Sequence, residues 1–156
     1  MDVDNLAHGS SSLRLGNSRL EPKVCDGVAT SPAYAQLGPG DLADFLREQG
    51  YSFEIETARG DLKYFDVQLP GGESMRLRVA VLGSAAEAAR DLHEALLEHG
   101  RGSWGVHRSN LAVLAPIGSG QQIVELAAKT KLACWGVLTV AGRDDVFVIP
   151  GGYAEL

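Results

Sequence analysis

With 156 residues, 45% of them hydrophobic and 22% charged, the chain has the size and usage of one globular domain, large enough to bury a core without a metal or a disulfide framework. Its formal charge of −6 sets a field that repels nucleic acid and anionic membrane, and no apolar run approaches the length of a membrane span. Neither nucleic acid nor membrane is therefore an expected partner.

Residues 1–38 are rich in Ser, Gly, Asn and Pro, and their scattered Leu13, Leu15, Leu20 and Val24 keep neither a helical nor a strand period. The expectation is a flexible or loosely docked N-terminal arm, followed by a single domain over residues 39–156. The opening MDVDNLAHGSSS has acids where a secretory signal has basic residues, and no apolar segment follows. Two cysteines, Cys25 and Cys134, are too few and too distant for a secreted disulfide scaffold, so both are expected free, with Cys134 a small buried hydrophobe in a cytoplasmic protein. Within the arm, Ser12-Leu13-Arg14-Leu15-Gly16 alternates apolar and small residues, as groove-docking peptides do. This pentapeptide resembles the tails that load cargo into encapsulin shells, and the resemblance implies docking through Leu13 and Leu15.

Order begins at Pro39-Gly40-Asp41, where Asp41 can cap a short helix with Leu42, Phe45 and Leu46 on one face and Gly50 at its end. The period then changes to two. Tyr51, Phe53, Ile55 and Thr57 alternate with Ser52, Glu54 and Glu56, Arg59-Gly60 supplies a hairpin turn, and Phe65, Val67 and Leu69 mark the return strand. Pro70-Gly71-Gly72 turns the chain into a third strand carrying Met75, Leu77, Val79 and Val81.

From Ser84 the pattern is helical. Ser84 and Glu87 form a capping box, Ala85, Ala88, Leu92 and Leu96 share a face whose alanines imply close packing on a sheet, and Gly100 stops the helix. A polar loop follows, then a short inner strand over Leu111–Ala115, then a second helix opened by Ser119 and Gln122 and ending near Lys131. Ala133 to Val140 and Asp145 to Ile149 read as a closing hairpin around Gly142-Arg143-Asp144. The expected fold is α+β in two layers: a mainly antiparallel sheet of five to six strands, a right-handed crossover from the third strand to the fourth, two main helices on one face and a short N-terminal helix.

The richest chemistry lies between Gly100 and Asn110, where glycines stand among Arg101, Trp104, His107, Arg108 and Asn110. Read as a loop, this stretch offers a stacking surface and forked donors for a carboxylate, a phosphate or a peptide backbone. The alternative is a plain helix-to-strand connection with Trp104 capping the core. His93, His99 and His107 are spaced wrongly for a helical zinc pair, so no metal and no cofactor are expected. No nucleophile-elbow motif surrounds Ser103 or Ser109, and Gly118-Ser119-Gly120 lacks the lysine of a phosphate loop. Glu54 and Glu56 read as solvated charges that keep a strand edge from aggregating. The function these features favour is a small soluble cytoplasmic protein-interaction module without catalytic activity, another protein its partner, binding through Arg101, Trp104, His107, Arg108 and Asn110. Oligomerisation through a sheet edge is a variant. The alternatives are a small enzyme or anion binder that combines Arg101 and Arg108 with the helix start at Ser119, and a cargo protein docking through its arm.

Overall fold

The structure, a computed structural model, describes residues 13–15, 18–26, 28, 36–115 and 120–142. Six strands form one antiparallel sheet: β3 (Ser52–Arg59), β4 (Leu62–Gln68), β5 (Ser74–Val81), β6 (Trp104–Arg108), β7 (Leu111–Ala115) and β8 (Val137–Val140). Their spatial order is β3-β4-β5-β7-β6-β8. A separate two-stranded hairpin pairs β1 (Leu13–Leu15) with β2 (Ser18–Leu20). The helices are α1 (Pro39–Glu48), α2 (Ala85–His99), α3 (Gly120–Lys129) and the single turn α4 (Leu132–Trp135). The fold is α+β on a mainly antiparallel sheet, as the alternating and helical patterns imply. The expected strand Asp145 to Ile149 and the helix cap at Ser119 lie outside the described residues.

Local chemistry explains the element ends. The backbone N–H of Gly38 donates to Asp41 Oδ2 at 2.7 Å, so Asp41 serves α1 from its third position, with Pro39 supplying the preset first turn. Ser84 Oγ accepts from the Glu87 amide at 3.2 Å, and the Glu87 carboxylate accepts from the Gly83 amide at 3.2 Å, one residue further out than the usual box. Gly100, at φ 79°, ends α2 in a conformation that costs a side-chain-bearing residue strain.

Alternation divides the sheet into two faces. Phe65, Val67, Met75, Leu77, Val79, Trp104, Val106, Leu111, Val113, Leu138 and Val140 bury one side against α1, α3 and α4. Ala80, Ala112 and Leu114 bury the other against Ala88, Leu92, Ala95 and Leu96 of α2. The two main helices therefore lie on opposite faces rather than together on one. The small residues anticipated for close packing are matched by Gly105 on the sheet: a Cβ built there meets Leu92 Cδ1 at 2.6 Å and Val113 O at 2.3 Å. Only a residue without a side chain lets α2 sit this near.

Three further expectations are corrected. The stretch after α2 is not an extended loop, because Trp104–Arg108 is an interior strand paired with both β7 and β8. Its period-two pattern sets Trp104, Val106 and Arg108 against Gly105 and His107, and glycine and polar residues hide it from hydropathy. The crossover after β5 consequently ends in β6, not in Leu111–Ala115. β7 lies between β5 and β6 and runs antiparallel to both, which makes those two parallel.

The third correction concerns the cysteines. Cys25 and Cys134 are joined by a disulfide across a sequence separation of 109, so neither is free. The cytoplasmic reading rested on free thiols and loses that support. Of the N-terminal segment, residues 13–15, 18–26 and 28 are described. Leu15 and Leu20 are buried in the core beside Ile123, Val124 and Ala127, and Lys131 Nζ donates to the Val24 carbonyl at 2.6 Å. No helix among the described residues is long and apolar enough to cross a membrane.

Candidate functional site

The residues singled out between Gly100 and Asn110 are mostly inside the molecule. Trp104 is fully buried on the face that packs against α3 and α4, and its indole N–H meets no acceptor among the described residues. Arg108 is 7% exposed: its Nη1 donates to the Trp135 carbonyl at 3.0 Å and its guanidinium lies 5.9 Å from the Trp135 ring centre. Asn110, 1% exposed, accepts from the Leu37 amide at 2.6 Å and donates to the carbonyls of Leu37 at 3.0 Å and Leu82 at 3.1 Å. It pins the chain entering α1 to the exit of β5. Ser109, at φ 49°, forms the two-residue hairpin with it. His107 is half-buried on the α2 side of the sheet.

Arg101 is exposed just past α2, whereas Arg108 closes the far end of β6. Four strand steps alone set Trp104 about 13 Å from Arg108. The structure thus brings Arg108 and Asn110 to one end of the strand and leaves Arg101 at the other, so the two arginines do not share an anion. In the N-terminal segment, Leu15 faces the chain's own core, and Leu13 pairs with Leu20 in the hairpin. Among the described residues no group of three or more His, Cys, Asp or Glu side chains converges as metal ligands would.

What remains open is the far edge of the large sheet. Among the described residues β3 has a neighbour on one side only, and along it Glu54, Ile55, Glu56, Thr57, Ala58 and Arg59 are all exposed. Ile55 keeps 46% of its surface in solvent and is one of two large hydrophobic side chains among the described residues to do so. The other, Leu97, stands alone on the outside of α2.

On the same face as Glu54 and Glu56, the register sets Glu54 opposite Asp66 and Asp66 opposite Arg76. Arg76 answers both acids. Its Nη1 lies 3.0 Å from the Asp66 carboxylate, its Nη2 2.7 Å from Glu56 Oε2, and its guanidinium stacks 4.3 Å above the Tyr64 ring. The hydrogen bond to Glu56, with smaller help from Asp66, raises the guanidinium pKa above its already high ordinary value. Arg78 is similarly held by Asp91 at 3.2 Å. Both arginines are thus answered by carboxylates.

No family model, curated protein or solved structure matches the chain.

The functional reading therefore rests on the chain's own chemistry. An open hollow of about 420 Å³ beside Arg78 is lined by Arg59, Asp61, Leu62, Ala80 and Leu82. Its charges are of both signs and Arg78 is already engaged, which leaves little net field for an anion. The β3 edge differs. It combines a row of backbone donors and acceptors that no described strand pairs with, an exposed apolar side chain on one face and two carboxylates on the other. Sequence reasoning reads Glu54 and Glu56 as charges on a strand edge, but not that edge as a binding surface. The alternating pattern of Tyr51 to Thr57 identifies a strand, and nothing local says that Ile55 stays exposed on it.

Proposed function

We propose that the protein is a small protein-binding module that accepts an extended segment of its partner along the outer edge of β3. The observation that carries this reading is the exposure of both faces of an edge strand, with Ile55 presented to solvent. Backbone pairing would supply affinity, and alternate side chains the selectivity. An incoming strand that sets an apolar residue beside Ile55 and basic residues beside Glu54 and Glu56 completes both faces. Self-association is less favoured. In the two-fold registers centred on Ile55 or Glu56, Glu54 opposes Glu56 of the second copy, or Glu56 opposes itself. The register shift between Thr57 and Arg59 further shortens the ladder available for self-pairing. We take the working compartment to be one in which the Cys25–Cys134 bond persists.

The test is a titration of the isotopically labelled chain with two short peptides, one alternating valine with lysine and the other valine with glutamate. The expected result is amide shift changes confined to residues 52–59 and their β4 neighbours, stronger for the lysine peptide and lost in Ile55→Asp. Shift changes centred on residues 101–110 would instead restore the first reading, and no response to either peptide would defeat the edge reading.

A further inference from the structure

We propose that the hollow beside the β3–β4 turn is a site for a free α-amino acid with an apolar side chain, Arg59 meeting its carboxylate and Asp61 its ammonium. The site uses none of Glu54, Ile55 and Glu56, so it stands apart from the β3 edge reading. A bulge builds it. Thr57 pairs with Lys63 and Arg59 with Leu62, so Ala58 is the extra residue, and Arg59 takes the place opposite Leu62 that Ala58 holds in an unbroken ladder. Directly opposite residues share a face, and Leu62 in turn pairs with Ala80, which packs under α2. The bulge thereby turns Arg59 to the α2 side of the sheet. Gly60 and Asp61 close the hairpin, and the Val81 amide donates to the Asp61 carbonyl at 3.0 Å, which fastens the turn to β5.

Leu62, Ala80 and Leu82 belong to the apolar cluster under α2 and line a hollow of about 420 Å³. Small-ligand sites usually measure about 300–1,000 Å³ and set a few polar groups around an apolar lining. Charge selects the ligand here. Arg78 is held by Asp91 at 3.2 Å. Among the described residues the side chains of Arg59 and Asp61 form no hydrogen bond or ion pair, not even with each other, although both residues line the hollow. A simple anion is repelled by Asp61 as it is drawn by Arg59, and a simple cation meets the reverse. A zwitterion satisfies both. In an α-amino acid one carbon separates carboxylate from ammonium, which suits a guanidinium and a carboxylate on either side of a single glycine. The side chain then covers Leu62, Ala80 and Leu82 and takes apolar surface out of water.

The test titrates the isotopically labelled chain with L-leucine, N-acetyl-leucine and leucine amide, the last two each lacking one charge. Exposed charge contacts are individually weak, so the expected dissociation constant for leucine is on the order of millimolar. Leucine should shift the amides of residues 59–62 and 78–82 saturably, and each blocked form should bind about threefold or more weakly. Arg59→Gln and Asp61→Asn should each weaken leucine by a similar factor and leave the melting temperature unchanged, since both residues are exposed. Shifts that rise without saturating would overturn the site. So would a blocked form that binds as well as leucine, or leucine affinity that is unchanged in both variants. None of these results bears on the β3 edge, which is tested by the peptides and by Ile55→Asp.

Discussion

The Asn110 carboxamide makes three hydrogen bonds at a site that is 1% exposed, so its loss leaves two carbonyls and an amide without their partner. We expect Asn110→Ala to lower the unfolding free energy by about 2–4 kcal/mol, three modest bonds plus the desolvation left uncompensated. Urea denaturation measures this, and a change below about 0.5 kcal/mol, the scale of an ordinary surface substitution, would show that the site is wetter than its burial implies. The same argument explains why Trp104, Arg108 and Asn110 were read as binding groups. Indole, guanidinium and carboxamide suit a partner's surface and the interior equally well. What separates the two uses is whether the acceptor belongs to another molecule or, as for Arg108, to Trp135 of the same chain.

At the scale of elements, the packing of α2 on the sheet depends on a position that carries no side chain. Gly105 lies under Leu92, and a methyl group there would strike backbone as well as a side chain that is itself buried. Gly105→Ala should cost about 1–3 kcal/mol through overpacking, or more if the helix is displaced as a body. Gly102→Ala is no fair control, since Gly102 has φ 95° and would suffer backbone strain instead. Gly40→Ala, in α1 with open space around it, is the proper comparison and should be neutral or slightly stabilising. Equal effects at positions 40 and 105 would contradict the close approach. This element also marks a limit of pattern reading. The alanines of α2 announced close packing, but its place on the face opposite α3 follows from register across β5, β7 and β6, which local spacing does not encode.

For the molecule as a whole, the disulfide constrains the unfolded chain more than any single contact constrains the folded one. Closing a loop of roughly a hundred residues is worth about 4–5 kcal/mol at 25 °C in the chain-entropy account. Reduction should accordingly move the urea midpoint down and steepen the denaturant dependence, because the open unfolded chain exposes more surface. Identical curves with and without dithiothreitol, once thiol titration confirms reduction, would mean that the bond constrains nothing. Such a result would leave the β3 edge untouched.

The sequence by itself determined the helix over Ala85–His99 with its Ser84 cap, the short helix with Asp41 in its first turn, the three alternating strands from Ser52 to Val81 and the α+β class. Each of these depends on residues within a few positions of one another, where capping bonds and side-chain period act directly. Tertiary structure alone decided that Trp104–Arg108 is an interior strand, that the helices cover both faces of the sheet, that Ile55 is left exposed on β3, and that Cys25 finds Cys134 across 109 positions. Those outcomes are set by which distant surfaces bury one another, and a hydrophobic or polar side chain carries no mark of the partner it will meet.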